Sequence, residues 1–373
     1  MKTIPLSPDA ITRRDFVGQL SLGAAALALA AQSRGESAPP AKKLGIALVG
    51  LGNYATTELG PALRVTKNCR LAGVVTGSHA KGVKWAADYG FPERNIYDYE
   101  TMHRIADNPD IDIVYVVTPN ALHAAQVIIA AKAGKHVISE KPFTTSVADA
   151  EAAVAACGAA NVKLSVGYRL HFDPYHEELR RLAREKDYGA FTKVTGGFSF
   201  TMRTKVWRAE KKLAGGGPIM DLGIYFIQGA CMAANGAPPV AVTAREGPKT
   251  RPDIFSDVEE AMNWTMEFAD GMVAEGATSY EKNLNQIRAE APRGFFELRN
   301  AFSYNGLTGR TTKGELHFAP PVNQQARQMD DFAQCVRDGR ESRVAGEMGL
   351  RDMKIIAAIY ESARTGSRTL VKI

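Results

Sequence analysis

Cysteine is scarce, with four in 373 residues, at positions 69, 157, 231 and 335, and no CxxC pair. That pattern excludes a disulfide-stapled scaffold and a thiolate metal site, leaving four buried or free thiols. The seven histidines include no HxH and no HExxH, so no metal is expected and metal-dependent hydrolysis has no ligand set to start from. Charge of one sign never runs long. The net +6 is spread along the chain, which argues against a nucleic-acid partner. Long apolar runs are missing too. The longest candidate, Leu20–Ala31, spans 12 residues, short of the ~20 that a membrane-crossing helix needs.

What precedes that run explains it. Arg13-Arg14 followed by a short Ala/Gly-rich stretch, with Ala28-Leu29-Ala30 as a small-x-small site, reads as a twin-arginine export signal. Residues 1–30 would then be removed near Ala30, giving a periplasmic protein with no membrane attachment. Residues 31–43 are a polar N-terminal arm.

The length predicts two domains. Over 44–166, apolar runs (Leu44–Val49, Arg70–Val75, Ile111–Thr118, His136–Glu140, Leu164–Tyr168) alternate with helical segments. This is the pattern of an α/β Rossmann domain, a doubly wound parallel sheet. Over 167–373 the grammar changes. Met262–Phe268 is apolar at every second place and Asp270-Gly271 turns it into Met272–Tyr280, as in an antiparallel sheet with one buried face. Helices are expected at Gln324–Arg337 and Met348–Arg364, and the whole as an α+β domain with a mostly antiparallel sheet.

Gly50-Leu51-Gly52-Asn53-Tyr54-Ala55 follows the first strand and opens the first helix. It has the G-x-G-x-x-G/A form, whose glycines let backbone N–H groups approach a pyrophosphate. NAD-binding folds place an acid at the end of the second strand to hold the ribose hydroxyls. Here that end is Val75-Thr76-Gly77-Ser78-His79-Ala80-Lys81. A hydroxyl pair and a cation suit a 2′-phosphate, so the expected cofactor is NADP with Thr76, Ser78 and Lys81 on its phosphate; Lys81 as a solvated lysine is the plainer alternative. Pro119 and Asn120 end the next strand, where Asn120 could cap the following helix or face the nicotinamide. His123 fits first-turn packing better than a ligand role.

Glu140-Lys141-Pro142 ends another strand, and Pro142 keeps Lys141 extended towards the same crevice. Gly215-Gly216-Gly217-Pro218 precedes an apolar helix, with Gly217 as cap and Pro218 in its first turn. Asp221 and Tyr225 then share one face of that helix. A lysine, an acid and a phenol beside a nicotinamide suit hydride transfer, because the sugar hydroxyl needs a base and the carbonyl an acid. A tyrosine merely packed on the sheet is the alternative for Tyr225. The basic segment Arg203–Lys212 reads as a solvated face, contact with phosphate or sugar being the alternative.

With Glu140-Lys141-Pro142 after such a nucleotide domain, Gly167–Pro174, Leu213–Tyr225 and Ile359–Gly366, the chain resembles the Gfo/Idh/MocA oxidoreductases, and among them the glucose–fructose oxidoreductase branch. The resemblance implies a tightly bound, non-dissociating NADP contacted also by Glu140, Lys141 and Arg169. It implies Lys141 and Asp221 as active-site partners, Tyr225 as general acid/base, and Tyr168 and Arg169 near the substrate. It further implies a cis Lys-Pro bond and a large open sheet joining a homodimer or homotetramer. The implied activity is oxidation of an aldose to its lactone, then reduction of a second sugar or carbonyl compound in ping-pong order. Free NADP(H) is not expected outside the cytoplasm, which agrees with a retained cofactor. The alternatives are an NAD-dependent glycoside hydrolase of the same superfamily and a non-catalytic sugar-binding member.

Overall fold

The computed structural model describes residues 42–373; the expected export signal and nearly all of the arm lie outside the described residues. From Lys43 to Ile373 the chain forms one compact unit built on two sheets. The short apolar runs become β1 (Leu44–Val49), β2 (Cys69–Val75), β3 (Ile96–Tyr97), β4 (Ile113–Val116), β5 (His136–Ser139) and β6 (Leu164–Val166). All pair in parallel, in the order β3-β2-β1-β4-β5-β6. Parallel strands are covered on both faces and so read as unbroken apolar runs; every residue of β4 is buried. The order reverses between β1 and β4, and the crevice at their C-terminal ends is where open α/β sheets hold ligands.

The crossovers are α1 (Gly60–Val65), entered through a π-turn over Ala55–Leu59, α2 (His79–Tyr89), α3 (His123–Lys132) and α4 (Val147–Ala159). Ser146 caps α4 by accepting from Asp149 N at 3.1 Å and donating to its carboxylate at 2.7 Å. Asn120 does not cap α3. A 3-10 turn over Asn120–Leu122 intervenes, and the side-chain amide donates instead to Ala214 O at 2.9 Å.

Asp173 caps α5 (Pro174–Glu185), a helix absent from the sequence-based expectation. After β7 (Lys193–Ser199) and the short α6 (Lys211–Ala214), a π-turn over Ile219–Gly223 leads into α7 (Ile224–Ala233). The strands that follow are β8 (Pro239–Glu246), β9 (Ala261–Phe268), β10 (Val273–Ser279), β11 (Leu284–Ala291), β12 (Gly294–Arg299), β13 (Thr308–Thr311) and β14 (Gly314–Leu316). The chain finishes with α8 (Gln324–Asp338), α9 (Gly346–Thr365) and β15 (Thr369–Leu370). The nine strands run β14-β13-β12-β11-β7-β10-β9-β8-β15, antiparallel except for β7 with β10.

Met262, Trp264, Met266 and Phe268 of β9 point into a core with Phe226 and Ile227 of α7 and Ile356 and Ile359 of α9. The other face carries ion pairs such as Lys193–Glu275 and Arg288–Glu297, both at 2.9 Å. Late in sequence, α8 returns to the first sheet. Met329, Phe332 and Ala333 pack with Leu48, Leu71 and Tyr115, and Asp330 accepts from the backbone N–H groups of Lys67 and Asn68. All four cysteines are free and buried.

Candidate active site

The C-terminal ends of β1, β2, β4 and β5 open into a cleft of about 1200 Å³ whose far wall comes from β7, the 200–208 segment, the π-turn before α7 and the 302–305 loop. That exceeds the ~300–1,000 Å³ of an ordinary small-ligand pocket, leaving room for a dinucleotide and a second molecule. Of the residues expected from sequence to bind cofactor or substrate or to act in catalysis, all but Tyr168 line it.

At the nucleotide end, Gly50 turns at φ +101°, and a Cβ there would press on Thr118 Cγ2 at 3.0 Å and Val117 O at 3.1 Å. Gly52 is different. A Cβ built on it meets nothing within 4 Å and borders the cleft, which is the bare backbone that a pyrophosphate requires. Thr76 Oγ1 accepts from Ser78 N at 3.2 Å, and Ser78 Oγ caps α2 by accepting from Lys81 N at 3.4 Å. No acid is among the residues lining this end (Thr76, Gly77, Ser78, Lys81, Tyr99). The donor set therefore fits NADP, with Lys81 and the two hydroxyls available to a 2′-phosphate.

Midway, His123 is fully buried, with ring nitrogens 2.9 Å from Thr118 O and 3.0 Å from Pro142 O. Burial pushes its pKa down against the pull of those carbonyls. The ring sits between the end of β4 and the cis Lys141–Pro142 peptide, donating to one carbonyl when neutral and to both only when protonated. Glu140 is buried beside it, accepting from Tyr115 Oη at 2.7 Å and from Lys141 N at 3.2 Å. Burial raises its carboxyl pKa, while Tyr115 and Lys141 oppose the rise.

The reaction end is organised around Asp221. Lys141 Nζ lies 2.7 Å from Asp221 O and 3.3 Å from Asp221 Oδ1. Oδ2 is 3.1 Å from Tyr280 Oη and 3.3 Å from Arg208 Nε. Burial alone would raise the Asp221 pKa, but Lys141, Arg208 and these hydrogen bonds outweigh it and hold it below the usual range. Asp221 is therefore a fixed carboxylate that orients Lys141 rather than a proton acceptor. One turn on, the Tyr225 ring sits under two cations, with Lys141 Nζ 4.7 Å and the Arg169 guanidinium 5.0 Å from its centroid. Tyr225 thus lines the cleft between charges while it also packs against Phe198 and Phe302, with ring centroids 5.5 and 6.1 Å away. Arg169 is itself buried and donates to the carbonyls of Phe302 and Ser303 and to Gln324. Its other face covers Tyr304 at 4.3 Å.

The helix start that aims Asp221 and Tyr225 is held by a group the sequence did not reveal. Glu259, 42 positions further on, accepts from Gly217 N at 2.9 Å and Ile219 N at 3.1 Å. The basic 203–212 segment is not simply a solvated face, because Arg203 and Arg208 line the cleft. Tyr280 and Tyr304 were also missed, the latter lying beside the Asn305-Gly306 turn. Tyr168 faces away from the cleft, buried with its ring 6.3 Å from that of His171. No group of His, Cys, Asp or Glu suited to a metal occurs among the described residues.

Family models match most of the chain. One described as an oxidoreductase family with NAD-binding Rossmann fold matches residues 44–168, and two C-terminal domain models of the same family match 176–292 and 303–373. The chain belongs to the Gfo/Idh/MocA oxidoreductases. It is similar to the solved aldose-aldose oxidoreductase of Caulobacter crescentus, at 41% identity and TM-score 0.86, covering 88% of this chain and 100% of that one. It is also similar to the NADP(+) D-xylose 1-dehydrogenase of Haloarcula marismortui, at 29% identity over 86% of this chain and 91% of that protein. A second D-xylose 1-dehydrogenase, from Haloferax volcanii, is 28% identical over 86% of this chain and 97% of its own length. As a Gfo/Idh/MocA protein the chain is an oxidoreductase with a nicotinamide-nucleotide domain, and the Lys141–Asp221–Tyr225 cluster sits where its second domain meets that nucleotide site.

Proposed function

We propose that the chain is an exported, NADP-dependent sugar oxidoreductase that oxidises an aldose to its lactone and then reduces a second sugar or carbonyl compound, the nucleotide staying bound throughout. The strongest support is one cleft holding both an acid-free ribose end and a lysine, a fixed carboxylate and a tyrosine at the other end. Similarity to an aldose-aldose oxidoreductase adds to it. Gly50, Gly52, Thr76, Ser78 and Lys81 would hold a nicotinamide nucleotide, which when bound would supply hydride acceptor and donor. Tyr225 takes the proton of the reacting sugar hydroxyl and returns it to a carbonyl oxygen. Lys141 stabilises the charge that develops there, and Asp221 keeps the ammonium aimed. Arg169 and Arg208 add positive charge where an alkoxide would form.

Export by the twin-arginine route carries folded proteins, which accords with a cofactor loaded before transport and retained in the periplasm. The outward face of the nine-stranded sheet is the surface through which a homodimer or homotetramer would form. Purified protein should carry NADP(H) and show a nicotinamide absorbance change with aldose alone, reversed by a second sugar. Protein that purifies empty and turns over only with added free NAD would refute the ping-pong cycle. Tyr225→Phe should abolish both half-reactions with nucleotide still bound; near-normal rates would remove Tyr225 from the mechanism.

A further inference from the structure

A second, smaller cavity of about 90 Å³ shares no lining residue with the reaction cleft. Arg180 and Arg184 reach it from α5, Gln228 and Cys231 from α7, and Arg351 from α9, and no Asp or Glu lines it. Arg180 and Arg184 are four apart on one helix, a spacing at which like charges repel. Arg184 rests on Glu185 at 3.0 Å. Arg351 is matched by Asp352, whose Oδ1 lies 2.9 Å from Arg351 Nε. The Arg351 Nη2 group, 2.8 Å from that same oxygen, lacks the alignment of a hydrogen bond and is buried without one. The other oxygen of Asp352 accepts from Gln228.

Arg180 is the unresolved charge. It is half-buried and has no hydrogen bond or ion pair among the described residues. Burial, Arg343 and Arg184 all disfavour its cation, with only Glu177 in its favour. That carboxylate is already bonded by Arg327 and Arg343. His171 adds no charge. Its Nε2 meets Gln228 Oε1 at 2.7 Å, an oxygen that must be the acceptor because the amide nitrogen is spent on Asp352, so Nε2 carries the proton of a neutral ring. Burial pushes its pKa down to about 3. The positive charge of the cavity is therefore that of guanidiniums, with no counter-ion on its wall.

We propose that this cavity is an anion site, binding one oxyanion group, phosphoryl or carboxylate, between Arg180 and Arg351 with Arg184 at the rim. A guanidinium presents paired N–H donors that match two oxygens of such a group. The volume corresponds to about three liquid waters, enough for one oxyanion head but not for a sugar ring. Any remainder of the ligand must extend outside.

The test is calorimetric titration of the nucleotide-saturated protein with inorganic phosphate and separately with gluconate, at ionic strength held constant with chloride. Saturating nucleotide fills the phosphate positions of the reaction cleft. Saturable binding of one equivalent is expected, and Arg180→Gln should weaken it about tenfold or more, the value of one charge-assisted hydrogen bond. Binding of phosphate alone would assign a phosphoryl ligand, and binding of gluconate alone a carboxylate. Thermal unfolding without anion should show Arg180→Gln at least as stable as wild type, since it removes an uncompensated charge. Absence of saturable binding to wild type, or equal binding by Arg180→Gln, would overturn the proposal.

Discussion

Gly50 and Gly52 stand two positions apart in one loop, yet substitution by alanine should injure different properties of the protein. At Gly50 the backbone holds φ +101°, with contacts at 3.0 and 3.1 Å waiting for a Cβ. A non-glycine residue in that region costs about 1–3 kcal/mol, and the contacts place this site in the upper half of that range. The folded unit runs from Lys43 to Ile373; at about 2.1 cal/mol/K of unfolding entropy per residue, each kcal/mol moves its Tm by roughly 1.4 °C. At about 2–3 kcal/mol, Gly50→Ala should therefore lower the Tm of nucleotide-stripped protein by about 3–4 °C. At Gly52 nothing lies within 4 Å of the added methyl and no left-handed φ is involved. Stability should hold or rise by up to about 1 kcal/mol, because alanine restricts the unfolded chain. The methyl would instead stand where backbone and pyrophosphate must meet. Losing one hydrogen bond to a charged group, about 1.5–3 kcal/mol, weakens NADP binding roughly 10- to 150-fold. Differential scanning fluorimetry and a nucleotide fluorescence titration separate the two effects. Gly52→Ala that binds NADP like wild type, or that loses as much stability as Gly50→Ala, would refute the assignment of this loop.

Tyr280→Phe removes the hydroxyl at 3.1 Å from Asp221 Oδ2 without altering the buried ring. It should lower kcat about tenfold or more by loosening the carboxylate that aims Lys141, with nucleotide affinity unchanged; an unchanged kcat would show that the hydroxyl is only structural. Lys81→Glu should reverse cofactor choice towards NAD by placing an acid against the ribose hydroxyls, read as the ratio of Kd values for NADP and NAD, and an unaltered ratio would make Lys81 a bystander. His171, buried with its pKa pushed down to about 3, contributes stability that is fully present above its unfolded value of ~6.5 and is lost as pH falls towards the folded one. Urea unfolding should show a loss of about 1.4 kcal/mol per pH unit between pH 6 and 4 that is absent in His171→Asn. Equal slopes in the two proteins would contradict the neutral buried ring.

The first sheet was legible because strands buried on both faces leave unbroken apolar runs, and the Gly50–Gly52 loop because its chemistry is local. Helix α5 was hidden by its own composition: only His176, Leu179, Leu182 and Ala183 of its 12 residues are buried, spaced among charges. The Asp173-Pro174 start was the available signal. Asp221 could be picked out from its neighbours, but not Arg208 or Tyr280, which reach its carboxylate from other elements of the fold. Tyr168 and Arg169 show the same limit at the shortest range. They are adjacent in sequence, yet one lines the cleft and the other faces the buried His171, a difference set by a backbone turn that no pattern announces. For Asn120, the capping reading failed because its amide goes to Ala214 O, in a segment 94 positions away, while the residue still lines the cleft.

Helix α8 has a consequence for the order in which the protein can be made. It seals one face of the nucleotide sheet, Gln328 donates to Tyr115 Oη at 3.1 Å, and Gln325 reaches Tyr54 Oη at 3.4 Å. Until α8 has been synthesised, Leu48, Leu71 and Tyr115 have only the side chains of α1, α2 and the turn before α1, such as Leu59 and Trp85, for cover, and the rest of that face waits for a segment more than 200 positions beyond Tyr115. The packing of this half is therefore complete only in a chain that includes α8. Lys141, Asp221 and Tyr225 all precede α8 in sequence, so the segment that closes the nucleotide half is made after every residue of the reaction end.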